Sequence, residues 1–289
     1  MLLPETTRFA PSPTGPLHLG HAFAALYAET AARETGGRFL LRLEDLDTAR
    51  CSSAQEAGIL EDLDWLGLRP EGPVRRQSEH LASYRAALES LADQGLVYPC
   101  FCTRGDIARE IQGMASAPQG PDGPLYPGTC RALPADDRRA RLATGQPCAL
   151  RLDVGLAIAR LHGEPAGFEE TGRGPDGETG LIRVRPGALG DVVLGRKDLG
   201  VSYHLAVVVD DADQGVSLVT RGEDLFPATH VQRLLQALLG LPAPRYRHHR
   251  LLRDAAGRRL AKRDRDQALA TLRASGMTPR QLRRQLGLG

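Results

Sequence analysis

The sequence predicts an α/β fold on a parallel sheet, with an inserted α+β subdomain and a short helical segment at the C-terminal end. Three observations predict it. The chain opens strand, tight turn, helix, strand, which is a βαβ unit with a right-handed crossover. Its middle carries two Gly/Pro-rich stretches, 113–128 and 163–180, that interrupt the alternation of strands and helices. Its C-terminal end fits one or two short helices, within a 45-residue segment, 245–289, that holds 13 Arg or Lys against 3 Asp in a chain of net charge +2.

The elements follow in order. Thr6–Ala10 is a short apolar strand that runs into the constrained turn Pro11-Ser12-Pro13-Thr14-Gly15-Pro16. Leu19–Glu34 has helical spacing and stops at Gly36-Gly37, and Phe39–Leu43 is the second strand. Helices are expected at Ala54–Leu66 and Glu79–Gln94, then a strand at Leu96–Phe101 and an exposed loop at Gly113–Gly128. Ala149–Leu161 alternates as a strand should, and Gly163–Gly180 reads as a flexible insertion between β segments. Val201–Asp211 is strongly apolar, Val216–Thr220 is a strand, Ala228–Leu239 a helix, and Leu251–Arg265 a loop. Two short helices, Asp266–Ser275 and Thr278–Leu286, end the chain. The domain reading is a first half-domain at 1–98, an insertion at 99–190, a second half-domain at 191–244 and a basic segment at 245–289.

With 289 residues, 42% apolar and 25% charged, the composition is that of a globular protein. No signal peptide is evident, and no apolar run approaches the ~18 residues of a membrane span. The expectation is a cytoplasmic monomer with no membrane partner. The basic C-terminal segment suits either a polyanion or a solvated face.

Chemistry is concentrated in Pro11–His21. His18 and His21 lie three apart at a helix start and so face one way. A helix start offers unpaired N–H groups and a positive dipole end, which suits phosphate. Gly20 leaves room for a nucleotide to approach. Two imidazoles there can donate to phosphate oxygens as charge builds.

Arg8–Gly15 through His21, Leu41–Asp47, Ser202–Asp211 and Arg221-Gly222-Glu223-Asp224, taken together, resemble the class I glutamyl- and glutaminyl-type tRNA synthetases, over most of the chain and in that family's order. The resemblance implies a Rossmann-like class I synthetase sheet. It implies a glutamate site in Arg8, Phe9, Ala10, Pro11, Ser12, Glu44, Tyr203 and Arg221. In that site Arg8 and Arg221 clamp the side-chain carboxylate, Glu44 holds the α-ammonium group, and Ser12 and Tyr203 complete the pocket. His18, Gly20 and His21 would face ATP, which arrives with Mg²⁺. A planar guanidinium fork suits a carboxylate clamp.

Arg258-Arg259-Leu260-Ala261-Lys262 resembles the family's K-M-S-K-S or K-L-S-K loop, whose second lysine binds ATP phosphates. Lys262 matches that lysine. Arg259 replaces the first lysine and Ala261 the serine, so charge is kept and the hydroxyl is lost. Lys262 is one of only two lysines, the other being Lys197. Cys100-Phe101-Cys102 with Tyr126 and Cys130 offers two close groups joined by a loop, which suits a tetrahedral metal. It resembles the Cys, Cys, Tyr, Cys zinc site of many short glutamyl-Q synthetases, where zinc is structural. Cys148 is an alternative ligand, and free buried thiols are the reading without a metal.

Only 27 residues follow Lys262, whereas full glutamyl-tRNA synthetases continue into an anticodon-binding region. This resembles the glutamyl-Q tRNA(Asp) synthetases, which form glutamyl-adenylate without tRNA and pass glutamate to queuosine in the anticodon loop of tRNA(Asp). The expected partners are glutamate, ATP and that tRNA, with the basic segment near the RNA. A truncated enzyme charging a tRNA 3′ end, and a catalytically silent RNA- or amino-acid-binding module, are the alternatives.

Overall fold

The computed structural model describes residues 3–114, 119–120, 123–161, 167–252 and 268–288. The chain begins with β1 (Thr6–Phe9), α1 (Leu19–Glu34), β2 (Arg38–Leu43), α2 (Ser53–Trp65), β3 (Arg75–Arg76) and α3 (Leu81–Asp93). The middle holds β4 (Val97–Cys100), α4 (Arg104–Gly113), β5 (Gln119–Gly120), β6 (Gly123–Pro124), α5 (Ala135–Ala143), β7 (Ala149–Leu152), α6 (Val154–Arg160), β8 (Gly167–Glu170), β9 (Gly180–Arg183) and β10 (Val193–Gly195). The remainder is α7 (Tyr203–Asp213), β11 (Leu218–Gly222), α8 (Phe226–Leu238), β12 (Arg245–His249), α9 (Leu269–Ala274) and α10 (Pro279–Leu286).

β1, β2 and β3 pair in parallel, and β11 pairs in parallel with β12. The two groups meet where the Ser217 N–H donates to the Thr6 carbonyl, so β1 lies against β11. The chain thus steps outward from β1 in one direction and from β11 in the other. A crevice opens where such steps diverge, at the carboxyl ends of the strands. Five of the six β2 residues are buried, as expected of a strand covered on both faces. Gly37, just after α1, allows the turn into β2. A Cβ there would sit 2.0 Å from the Glu5 carbonyl oxygen, so no other residue fits.

α1 and α2 pack on the first group of strands, and Leu269, Leu282 and Leu286 from α9 and α10 complete the same apolar core. A second core joins α3, α7 and α8 through Tyr84, Leu88, Leu205, Val208, Leu234 and Leu235. Among the described residues no helix is long and apolar enough to cross a membrane.

Several local expectations are corrected. Ala149–Leu161 is not one strand. It is β7 followed by α6, because the Asp153 carboxylate accepts from the Leu156 N–H at 3.0 Å and caps a helix. Within it Val154 and Ala157 are buried at helical spacing. The stretch 163–180, expected to be a flexible insertion, contains β8, which pairs with β9 and with Tyr246 of β12. α4 and α5 were not foreseen. α4 is announced by a capping box in which Thr103 and Asp106 satisfy each other's backbone N–H groups. Arg245–His249, placed by sequence within the basic C-terminal segment, is a strand of the main sheet.

Candidate active site

The carboxyl ends of β1, β2, β11 and β12 deliver Arg8, Glu44, Arg221 and His249 to one cavity of about 660 Å³. Phe9, Ala10, Pro11, Ser12, His18, Gly20, His21 and Tyr203 line it too. Every sequence-predicted residue of the glutamate and ATP sites is therefore gathered in one place, apart from Lys262. Lys262, with Arg259 and Ala261, lies outside the described residues. The described residues on either side reach the site. Leu252 lines the cavity, and Ala268 bridges the backbone of His18 while Leu269 donates to the Leu17 carbonyl at 2.9 Å.

The capping geometry of α1 assigns the histidine tautomers. The His18 Nδ1 accepts from the Gly20 N–H at 3.0 Å, and the His21 Nδ1 accepts from the His18 N–H at 3.2 Å. An imidazole nitrogen that accepts carries no proton, so in the neutral rings the proton is on Nε2. The rings lie 3.9 Å apart between centroids. The side chains thus close the helix N-terminus through their Nδ1 atoms. A Cβ on Gly20 would come within 2.9 Å of the His18 ring.

Beneath the cavity, Arg8 Nε binds Asp211 Oδ1 at 2.9 Å and its Nη1 donates to the Thr220 carbonyl at 3.1 Å. The same Asp211 oxygen takes Arg42 Nη1 at 2.7 Å. Arg42 is fully buried, with Asp210 at 3.7 Å and Glu44 at 3.8 Å. Asp210 in turn accepts from Arg75, Gln77 and Tyr84. Burial alone would raise the Asp211 carboxyl, but Arg8 and Arg42 hold it below its ordinary value. Glu44 differs. Burial pushes it up to about 7, and Arg42 and Arg8 only partly oppose that. Its backbone N–H donates to the Pro11 carbonyl at 3.0 Å, tying the end of β2 to the turn after β1.

Arg221 is held on three sides. Its Nε donates to His248 Nε2 at 3.2 Å, Nη1 donates to Gln232 Oε1 at 2.6 Å, and Nη2 donates to the Thr229 hydroxyl. The Tyr246 ring lies under the guanidinium, 5.2 Å from its centroid. Tyr203, at the start of α7, has a hydroxyl pKa raised by burial and by Glu44.

Sequence reasoning missed His248, Thr229, Gln232 and Glu170 as supports for this site. The only signal was a pair of histidines in the strand-like run Arg245–His249. It also passed over Arg42, which is among the largest fully buried side chains.

The family model for the catalytic domain of class I tRNA synthetases of the E and Q type matches residues 5–288. The chain belongs to this family. This class I synthetase chain is 54% identical to the glutamyl-Q tRNA(Asp) synthetase of Rhodobacter capsulatus, over 98% of the chain and 99% of that protein. It is 47% identical to the enzyme of that name from Nocardia farcinica, covering 95% of the chain and 81% of the relative. A solved glutamate-tRNA synthetase from Elizabethkingia anophelis superposes with a TM-score of 0.72 at 30% identity, over 91% of this chain. This synthetase chain spans only about half, 53%, of that longer solved protein.

The cysteine cluster of this synthetase lies elsewhere, and none of its members lines the cavity. The sulfurs of Cys100, Cys102 and Cys130 all lie within 4.8 Å of one another, with Cys102 and Cys130 at 3.4 Å. The Tyr126 hydroxyl is 3.4 Å from Cys100 Sγ and 3.9 Å from Cys102 Sγ. Zn–S bonds of about 2.3 Å in a tetrahedron separate sulfurs by ~3.8 Å. Three thiols and a phenol at this spacing therefore fit zinc. Burial pushes the Cys102 thiol up to about 12. It would raise Cys130 as well, but the Phe101 N–H, which donates to that sulfur at 3.3 Å, helps bring it below its ordinary value. Cys148 packs beside the cluster without joining the group of close donors. Lys197 Nζ donates to the Phe101 and Cys102 carbonyls at 2.9 and 3.1 Å, pinning the turn that carries two of the thiols.

Proposed function

We propose that this chain activates glutamate with ATP, without needing tRNA, and passes the glutamyl group to the queuosine base in the anticodon loop of tRNA(Asp). One observation carries the first step: two anchored arginines and an opposing carboxylate share a cavity with a histidine pair at a helix N-terminus. The choice of acceptor is supported by identity to the Rhodobacter capsulatus protein along nearly its whole length.

In the proposed complex, Arg8 and Arg221 take the side-chain carboxylate of glutamate and Glu44 takes its α-ammonium group. Ser12 and Tyr203 border the amino acid. The α-carboxylate oxygen attacks the α-phosphorus of ATP, the bond to the bridging oxygen breaks, and pyrophosphate leaves with Mg²⁺. The Nε2–H groups of His18 and His21 donate to phosphate oxygens as charge develops, and Lys262 adds a point charge. A ring hydroxyl of queuosine then attacks the mixed anhydride, and AMP departs. Zinc, held by Cys100, Cys102, Tyr126 and Cys130, would brace the inserted subdomain and take no part in the chemistry. The setting proposed is the cytoplasm.

The test has two parts. Glutamate-dependent exchange of labelled pyrophosphate into ATP should proceed without tRNA. Labelled glutamate should then attach to queuosine-containing tRNA(Asp), including tRNA trimmed of its 3′-terminal adenosine, and not to the same tRNA lacking queuosine. Loss of labelling on trimming would instead assign the product to the 3′ end.

A further inference from the structure

Arg221 meets no carboxylate directly among the described residues, yet a buried one stands behind it. Glu170, at the end of β8, and His248, on β12, both have fully buried side chains, with Glu170 Oε2 2.5 Å from His248 Nδ1. The other ring nitrogen, His248 Nε2, faces Arg221 Nε at 3.2 Å. An arginine Nε is always a donor, so His248 Nε2 must accept and carries no proton. The proton of the neutral ring therefore sits on Nδ1 and is donated to Glu170.

We infer that Glu170 and His248 are positioning residues, which lock one imidazole tautomer and through it aim the Arg221 guanidinium into the cavity. This inference rests on the proposed binding of glutamate by Arg221.

The surroundings are built for this arrangement. Glu170 Oε1 accepts from the Gly172 and His248 N–H groups at 2.8 and 3.0 Å, which leaves Oε2 for the ring. Gly172 closes over the pair. A Cβ there would lie 2.6 Å from the His248 carbonyl and 2.9 Å from Glu170 Oε1. Tyr246 lies parallel to the His248 ring, Phe226 meets it edge-on, and Thr229 Oγ1 lies 3.2 Å from Nε2. The other titratable neighbours are His230 on α8 and His249 on the same strand. Burial lowers both below the ordinary histidine value, as it does His248 itself. A carboxylate behind an imidazole fixes tautomer and ring orientation in metal and triad sites alike. Here the third member is a guanidinium, and the gain is orientation of a substrate-binding cation.

The experiment compares Glu170→Gln, His248→Leu and His248→Gln with the wild-type protein. The glutamine at 170 keeps the shape but offers one oxygen where two are used, so an amide N–H must oppose either the ring proton or the two backbone N–H groups. Flipping the ring tautomer to relieve this would set two donors against each other at Arg221. In pyrophosphate exchange, Glu170→Gln and His248→Leu should raise the KM for glutamate about tenfold or more, with the KM for ATP within about twofold. His248→Gln should recover most of the loss, because its amide oxygen reaches the Nε2 position. NMR of labelled imidazole nitrogens should show the wild-type His248 protonated at Nδ1 and not at Nε2, and Glu170→Gln should disturb that state. A wild-type ring protonated at Nε2, or a glutamate KM unchanged in Glu170→Gln, would overturn the inference. Absence of glutamate-dependent exchange in the wild-type protein would instead count against the proposed function, and the tautomer measurement stands apart from it.

Discussion

Glutamate binding should expel about half a proton from Glu44 at pH 7. The carboxyl is pushed up to about 7 from an ordinary 4.5 by burial, against the pull of Arg42 and Arg8. In the empty cavity at pH 7, then, about half the molecules carry a neutral Glu44. A bound α-ammonium group would favour the ionised form, and the proton must leave. The release should approach a full proton near pH 6 and vanish above about pH 8.5. Titration calorimetry at one pH in buffers of different ionisation enthalpy reads this number directly. The same equilibrium makes kcat/KM for glutamate fall about tenfold per pH unit below 7. The effect on stability has the opposite sense. A carboxyl whose folded pKa is raised loses stability as pH rises from 4.5 to about 7, a loss on the order of 3 kcal/mol. The 15% of the side chain that still reaches solvent makes this an upper figure. Glu44→Gln should therefore melt at the same temperature as the wild-type protein or higher at pH 8, while binding glutamate poorly and releasing no proton. Proton release unchanged in Glu44→Gln, or absent from the wild-type protein at pH 7, would refute this reasoning.

Three further outcomes are expected. Asp211→Asn removes the charge shared by Arg8 and the fully buried Arg42, and should destabilise the fold by about 3–5 kcal/mol, read as a lowered thermal midpoint. Native mass spectrometry should find one zinc per chain, lost in Cys102→Ser with a fall in melting temperature. Because no ligand of that cluster lines the cavity, pyrophosphate exchange should persist at a temperature where the variant is folded. Lys262→Ala should lower the exchange rate about a hundredfold and leave the KM for glutamate unchanged.

What the sequence disclosed, and what it hid, divides along a physical line. The βαβ opening, α1 and the strand carrying Arg221 were legible because period and punctuation are local: an apolar run, Pro and Gly turns, helical spacing. Arg8, Glu44, the histidines and Tyr203 were legible through motif resemblance, and the strand ends gather them as one set. The supports were not legible. Arg42 looks like any charge on a strand, and only pairing with Asp211, 169 positions away, makes its burial tolerable. Glu170 lies within a Gly-rich stretch that suggests a loop, yet its strand forms a hairpin with β9 and joins β12 through Tyr246, which lies far along the chain. α6 was misread because Val154–Arg160 has too few residues for alternation and helical spacing to be told apart.

The two cavity arginines are balanced differently, and this bears on which amino acid fits. Arg8 sits directly on Asp211, a carboxylate that it shares with Arg42. Much of the Arg8 field is therefore spent locally, and its contribution is a fixed fork. Arg221 touches neutral acceptors, with the charge of Glu170 reaching it only through the His248 ring. Its field toward the cavity is the less cancelled of the two. Glu44 presents the opposite sign on the far group of strands. Arg8 and Arg221 at the ends of β1 and β11 and Glu44 at the end of β2 thus line one cavity, a set that would match a side-chain carboxylate and an ammonium group on one ligand. Glutamine would set an amide N–H₂ against guanidinium donors, leaving buried donors without acceptors. If Arg221 takes the side-chain carboxylate as proposed, substitutions behind Arg221 should erode discrimination between the two amino acids, whereas Glu44→Gln should weaken both alike.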